Sequence, residues 1–334
     1  MRVIRRSALS ACAFLLGVLA LSVARAEPPK ACQGSDLTQV EGLAAAQSAR
    51  ADDLMNGDGL MWRIEKPGLA PSYLFGTIHS TDESALEVAG RAAQFIKGSR
   101  VVATELGGPM DSIQKANITA ATLAKALDRD HDTFEGAIAP EDRQRVEKFV
   151  ARVGYPVEFA HHLKPWFLAI LTAIPACEAD REALNLPEVD QFIAQTAKDE
   201  GVKVIGLETP GQQLDAIANL RPEVAATLVI LAARDPGLND DLYATMLKLY
   251  RESRPAEILA VSDALGGMSK AERAAEDEFM RELLLSRNAV MAERAAPLLA
   301  SGGAFIAVGA LHLPGKTGLI EQFRVMGYSV TKEW

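Results

Sequence analysis

The 334-residue chain has only three cysteines and five histidines, and aromatics make up 6% of it. It lacks three signatures that would name a reaction outright. There is no Gly-x-Ser-x-Gly nucleophile elbow, no Gly-x-x-x-x-Gly-Lys-Ser/Thr phosphate loop and no His-Glu-x-x-His zinc helix. Positive charge is scarce as well, with 35 Lys and Arg against 44 Asp and Glu. An acidic surface repels phosphate backbones and anionic lipid headgroups, which argues against both as partners.

The N-terminus follows its own logic. Arg2, Arg5 and Arg6 precede an apolar run from Ala8 to Val23, and Ala24-Arg25-Ala26 offers a small-x-small cleavage site. Residues 1–26 therefore read as a secretory signal peptide. The alternative, an uncleaved anchor, would be short for a bilayer at roughly 16 residues. Leu9-Ser10-Ala11-Cys12 resembles a lipoprotein box, but too little apolar sequence precedes Cys12 to form the region such signals need. Cleavage takes four arginines and no acid, lowering Lys and Arg from 35 to 31 against 44 acids, a net −13. No later run is apolar and long enough to span a membrane, so the expectation is a periplasmic protein without stable membrane insertion. Only Cys32 and Cys177 survive processing, and an oxidising compartment would pair them in one disulfide.

Residues 27–59 are polar and rich in small residues, an arm with a short helix near Leu43–Leu54. The core domain is expected over 60–334. Leu60–Glu65 and Ser72–Gly76 are rich in β-formers and flank Lys66-Pro67-Gly68, so they read as a hairpin. Val101–Glu105, Lys203–Leu207 and Ala304–Gly309 are nearly continuous apolar runs of strand length, as for strands covered on both faces. Tyr328–Lys332 adds a terminal strand. Helical patterns cover Glu83–Lys97, Glu141–Val153, Pro165–Ala176, Val189–Glu200, Glu223–Ala233, Asp240–Arg251 and a long stretch around Glu272–Leu299. The expected fold is α/β (α+β), a mixed central sheet with a large helical cap.

Two stretches carry the same local pattern: LFGTIHS, with Gly76 and His79, and AVGALHLPG, with Gly309 and His312. At this composition Gly-x-x-His is expected by chance about 0.4 times, so one copy is weak and two are less ordinary. Both fall where an apolar strand ends, the position at which α/β sheets bind ligands. Ser80-Thr81-Asp82-Glu83 reads as a capping box, which sets His79 at a helix N-terminus, where the dipole favours a neutral ring. Taken singly, each histidine is equally consistent with a capping or packing residue. Acids occupy matching places. Glu105 ends a strand row with Val101 and Ala103, and Glu208 precedes a Thr-x-x-Gln box at Thr209–Gln212. Glu208 is also consistent with a dipole-complementing acid at a helix start. Two imidazoles and a carboxylate suffice to hold a catalytic divalent ion with positions open to water. The ion's bound water ionises more easily and the ion polarises a carbonyl, which is hydrolase chemistry. Arg287-Asn288 places a cation and an amide on the inner side of the long helix, near a developing oxyanion or paired with an acid. His161-His162 diverge by about 100° on a helix and read as structural, and His131 reads as a solvated loop residue.

YLFGTIHS, VVATEL, LKPWFLA, KVIGLETPGQQ, LLLSRN, AVGALHLPGKTGLI and MGYSV, in that order, resemble the TraB/GumN family. That family includes the Tiki metalloproteases and is grouped with erythromycin-esterase-like and ChaN-like proteins. The resemblance implies a peptidase dependent on manganese- or cobalt-type ions, with zinc also admitted. It makes His79 and His312 the paired histidines and Glu105 the essential acid, the three together holding the metal. Arg287 is then a catalytic candidate, with Glu208 and Asn288 as substrate contacts. Asp190 departs from the family's Gly-x-Asp context, because it follows Glu188-Val189, and reads only as a helix-start residue. The esterase branch implies a metal-free alternative in which a histidine is the proton acceptor. A third reading is a non-catalytic accessory protein for envelope polysaccharide or iron-containing ligands. The expected partner is a peptide or small-molecule substrate.

Overall fold

Residues of alternating direction along the buried strands decide what lies on each side of the sheet. In the computed structural model, which describes residues 32–334, six strands form one mixed sheet. They are β1 (Met61–Glu65), β2 (Ser72–Thr77), β3 (Val101–Thr104), β4 (Lys203–Gly206), β5 (Ala304–Gly309) and β6 (Ser329–Lys332), in the order β4-β3-β5-β2-β1-β6. The expected signal peptide lies outside the described residues. The hairpin forms as anticipated, with Met61 opposite Phe75 and Ile64 opposite Ser72. β2, β5, β3 and β4 run parallel, while β1 is antiparallel to both β2 and β6.

Along β5, Phe305 and Ala307 face one side, packed with Phe75 and Val102 against Val88, Ala89, Ile193, Leu247 and Tyr250. Ala304, Ile306 and Val308 face the other, against Met291, Ala295, Leu319 and Phe323. The first side is thus covered by helices Glu83–Ala93, Val189–Asp199 and Pro236–Arg251, the second by Ser286–Ala300 and Leu319–Val325. A separate apolar cluster around Phe134, Phe149, Trp166 and Val229 is the core of the helical cap.

One expectation needs correction, one is refined and one helix was not anticipated. β4 is not covered on both faces: it pairs only with β3 at the sheet edge, and Lys203 and Gly206 are exposed. The long helix forms without a break over 270–300, with a π-helical turn at Arg281–Leu285 between its α-helical parts Lys270–Met280 and Ser286–Ala300. Helix Ser112–Ala126 escapes the apolar pattern because its buried residues are Thr119, Thr122 and Ala126, although Asp111 and Gln114 supply a full capping box. Among the described residues no single helix is long and apolar enough to cross a membrane.

The disulfide expected between Cys32 and Cys177 is present and ties the arm to the first turn of helix Ala176–Ala183, across a sequence separation of 145. Replacing both cysteines by serine is expected to cost on the order of 4–5 kcal/mol through loop-closure entropy. Denaturant unfolding checks this: the reduced wild type should match the double variant, and the oxidised wild type should exceed both.

Candidate functional site

Because four strands run parallel, their carboxyl ends share one sheet edge. His79 follows β2, Glu105 follows β3, Glu208 follows β4 and His312 follows β5, so residues distant in the chain arrive at that edge together. A cleft of ≈ 260 Å³ opens there, lined by His79, Glu105, Glu188, Asp190, Gln213 and Lys115 among others. Its lip is the Gly107–Met110 turn, closed by Thr104 Oγ1, which accepts from Gly107 N at 2.8 Å.

The glycines of the two Gly-x-x-His stretches are explained by close approach. A Cβ on Gly76 would lie 3.0 Å from both Cα and Cβ of Ala310, inside the second stretch. A Cβ on Gly309 would lie 3.2 Å from Glu105 Oε1 and 3.3 Å from His312 Cδ2. The paired register, Gly76 beside Val308 and Thr77 beside Gly309, makes the two motifs neighbours across β2 and β5. Each glycine leaves room for the other motif or for the acid between them.

Glu105 is almost fully buried and held from three directions. Oε1 accepts from Gly309 N at 2.7 Å, while Oε2 accepts from Arg287 Nη2 at 2.6 Å and Gln213 Nε2 at 2.7 Å. Burial works against its charge, but His312 and Arg287 outweigh burial and lower its pKa to about 2. Arg287 also donates from Nε and Nη2 to Glu208, at 3.0 and 2.6 Å, and from Nη1 to Leu283 O at 3.0 Å, a carbonyl in the π-helical turn. Arg287 therefore pairs with acids, one of the two readings open to it. Glu208 is buried against Arg287 and lies outside the cleft lining.

His312 sits behind Glu105, 3% exposed, with Nε2 3.7 Å from Glu105 Oε1. Asn288 Nδ2 donates to Thr317 O at 3.2 Å, which turns its Oδ1 to His312 Nδ1 at 2.6 Å. The Nδ1 proton is thereby fixed, and Nε2 keeps its lone pair. Burial pushes the ring down to about 4, against the pull of Glu105, so it is neutral at pH 7.

His79 differs from expectation. The cap of helix Glu83–Ala93 is Asp82, which accepts from Ser84 N at 2.9 Å, and Ser80 serves elsewhere. His79 is therefore in the loop before the helix, beyond the reach of its dipole. Its Nδ1 lies 3.4 Å from Glu188 Oε2 and 3.3 Å from Asp190 Oδ2, and its side chain remains 39% accessible from the cleft. Burial opposes the charged ring, yet Asp190 and Glu188 raise it well above the ordinary histidine value. The neutral ring expected from the sequence is not what two carboxylates permit. His79, Glu188 and Asp190 each present a ligand atom within 4.8 Å of the others, and they are the one such three-residue group among the described residues.

Glu188 is not legible as a site residue, and Asp190, marked by the family's Gly-x-Asp landmark, reads from sequence only as a helix-start residue. They open helix Val189–Asp199, where acids complement the dipole, and only the fold carries that helix start to His79. Asp190 thus does more than start a helix: its Oδ1 also accepts from Thr77 Oγ1 at 2.8 Å. Behind them, burial and the neighbouring Glu188 and Glu178 push Glu182 up to about 8. The remaining histidines lie apart. His161 pairs with Asp132 and Glu147 and stacks on Phe134, His162 bonds the Asp128 carbonyl, and His131 is largely exposed beside Asp128.

Fold and cleft together define an α/β protein whose imidazoles and carboxylates gather at the carboxyl ends of parallel strands. The model of the TraB/PrgY/gumN family matches residues 60–332, and the chain belongs to that family. No curated protein and no solved structure gives a significant match.

Arg287→Met would leave Glu105 and Glu208 buried without their shared cation, an expected loss of about 3–5 kcal/mol in urea unfolding at pH 7. Adding Glu208→Gln to that variant should recover part of the loss. For His312, nitrogen NMR should show the proton on Nδ1 and titration near 4. Its folded value lies below 6.5, so its contribution to stability is intact above about pH 6.5 and is lost as pH falls towards 4.

Proposed function

We propose that the protein is an exported, metal-dependent hydrolase that cleaves an amide bond in a peptide substrate, with His79, Glu188 and Asp190 holding a divalent ion. The observation that carries this reading is the convergence of those three side chains in the cleft that Glu105 also lines. The residues fit such an ion. Asp190 Oδ2 is a buried carboxylate oxygen 3.3 Å from His79 Nδ1, the ring nitrogen that an ion would displace as its partner. One imidazole and two carboxylates suit manganese- or cobalt-type ions, and zinc is also compatible. The Cys32–Cys177 bridge supports an oxidising compartment such as the periplasm.

When bound, the ion supplies Lewis acidity and a more acidic water. The chain's own residues do the rest. Glu105, kept ionised by Arg287 and Gln213, accepts a proton from the attacking water at Oε1 as the water oxygen bonds to the carbonyl carbon. A pKa of about 2 makes Glu105 a weak acceptor in that step but a ready donor in the next, passing the proton to the leaving nitrogen as the C–N bond breaks. His312 Nε2, unprotonated and 3.7 Å from Oε1, stands as the second acceptor beside it. The same pair supports a second, metal-free reading of the esterase type, in which His312 is the base.

Without an ion, His79 carries the positive charge that the two carboxylates require, so ion binding must expel a proton. Calorimetry in buffers of different ionisation enthalpy should show close to one proton released at neutral pH, and affinity for Mn²⁺ rising with pH. His79→Ala should abolish that release, and Asp190→Asn, which leaves Glu188 beside the ring, should reduce it. Glu105→Gln should retain the ion yet lose about 10²–10⁴-fold in peptide hydrolysis. A wild-type protein that binds no divalent ion at micromolar concentration would overturn the metal reading, and activity surviving chelation would select the metal-free one.

A further inference from the structure

The segment after His79 is gripped from outside its own element. Thr81 N donates to Glu178 Oε1 at 2.6 Å, and Arg181 donates from Nε to Thr81 Oγ1 and from Nη2 to Thr81 O, both at 3.0 Å. On its other side, Ser80 O accepts from Val189 N at 3.2 Å, the residue between Glu188 and Asp190. The peptides at 80–81 are thus the seam between the loop that carries His79 and the turn that carries the two acids. Glu178 is fully buried, and burying a carboxylate and a guanidinium where apolar residues would pack as well secures geometry more than stability.

Proton counting shows that the grip is directional. Glu178 Oε2 lies 2.6 Å from the Tyr243 hydroxyl, which lies 2.8 Å from Ser80 Oγ. Both Glu178 oxygens act as acceptors, so Tyr243 spends its one proton on Glu178 and accepts from Ser80. Ser80 Oγ in turn accepts from Asp82 N at 3.0 Å. The far end of this chain is tied down as well. Cys177 is bonded to Cys32, and the arm beyond it donates from Ser35 N to Asp241 and from Leu37 N to Thr245, on the helix that carries Tyr243. Arm, helix Pro236–Arg251 and helix Ala176–Ala183 close into a frame around residues 80 and 81.

We infer that Glu178 and Tyr243 are positioning residues for the ion site: they hold the His79 loop at the spacing from Glu188 and Asp190 that an ion requires. This rests on the assignment of His79, Glu188 and Asp190 as ligands. Groups that orient ligands typically contribute 10–100-fold in metal affinity. The test is Mn²⁺ titration of the full chain followed by EPR of the free ion. Glu178→Ala is expected to raise Kd by about 10–100-fold, and Tyr243→Phe, which changes no charge, by about tenfold. Glu178→Gln should fall between Glu178→Ala and the wild type, because its amide oxygen still accepts from Thr81 N. Phe134→Leu, buried in the cap and remote from the cleft, should lower the melting temperature without moving Kd. If Glu178→Ala does not fold, Tyr243→Phe and Glu178→Gln carry the test. Unchanged affinity in folded Tyr243→Phe and Glu178→Gln, or an equal loss in Phe134→Leu, would overturn the positioning role. A wild type that binds no Mn²⁺ would instead overturn the ligand assignment, and the positioning role with it.

Discussion

The site depends on one buried cation. Arg287 reaches Glu105 and Glu208 from a single guanidinium, joining the ends of β3 and β4 to the helix that packs on the second face of the sheet. Three charges removed from water repay their desolvation only when geometry is close and the remaining donors and acceptors are satisfied. Here Gln213, Gly309 N and Leu283 O complete the set. The π-helical turn is part of this arrangement, because Leu283 O is the carbonyl that receives Nη1. Irregular helical turns of this kind recur at functional sites.

Much of the scaffold was legible because its causes are local. The hairpin follows from Lys66-Pro67-Gly68 between two β-rich runs, and helix Pro210–Ala218 follows from the Thr209–Gln212 capping box with proline at its first position. Buried strands announced themselves as apolar runs, but the same runs do not say which strand lies at an edge. β4 carries an apolar run like β3's, but it has one neighbour and its ends, Lys203 and Gly206, are exposed. The capping box written over Ser80–Glu83 failed for a tertiary reason: Ser80 is engaged by Tyr243, and Asp82 takes the cap.

The candidate site was legible in part, and the division is informative. His79, Glu105 and His312 stand at strand ends, where period and termination mark them. Glu188 and Asp190 sit at a helix start, where acids are ordinary, and nothing local links them to a histidine more than a hundred positions earlier. The paired glycines were visible as a motif, but their purpose is a distance, the room each leaves for Ala310, Glu105 or His312. The electrostatic character of the two histidines separates for the same reason. One is charged by acids that the topology supplies, and the other is kept neutral by burial while one amide fixes its tautomer.

The placement of β5 in the sheet bears on how the chain assembles. This strand, drawn from residues 304–309, lies between β2 and β3, so the β1–β2 and β3–β4 pairs cannot be joined until almost all of the polypeptide has been made. Closure across such separations is slow, and the nascent chain spends its synthesis with those edges unpaired. A polypeptide that cannot complete its centre early keeps apolar strands open to the wrong partners for most of its synthesis.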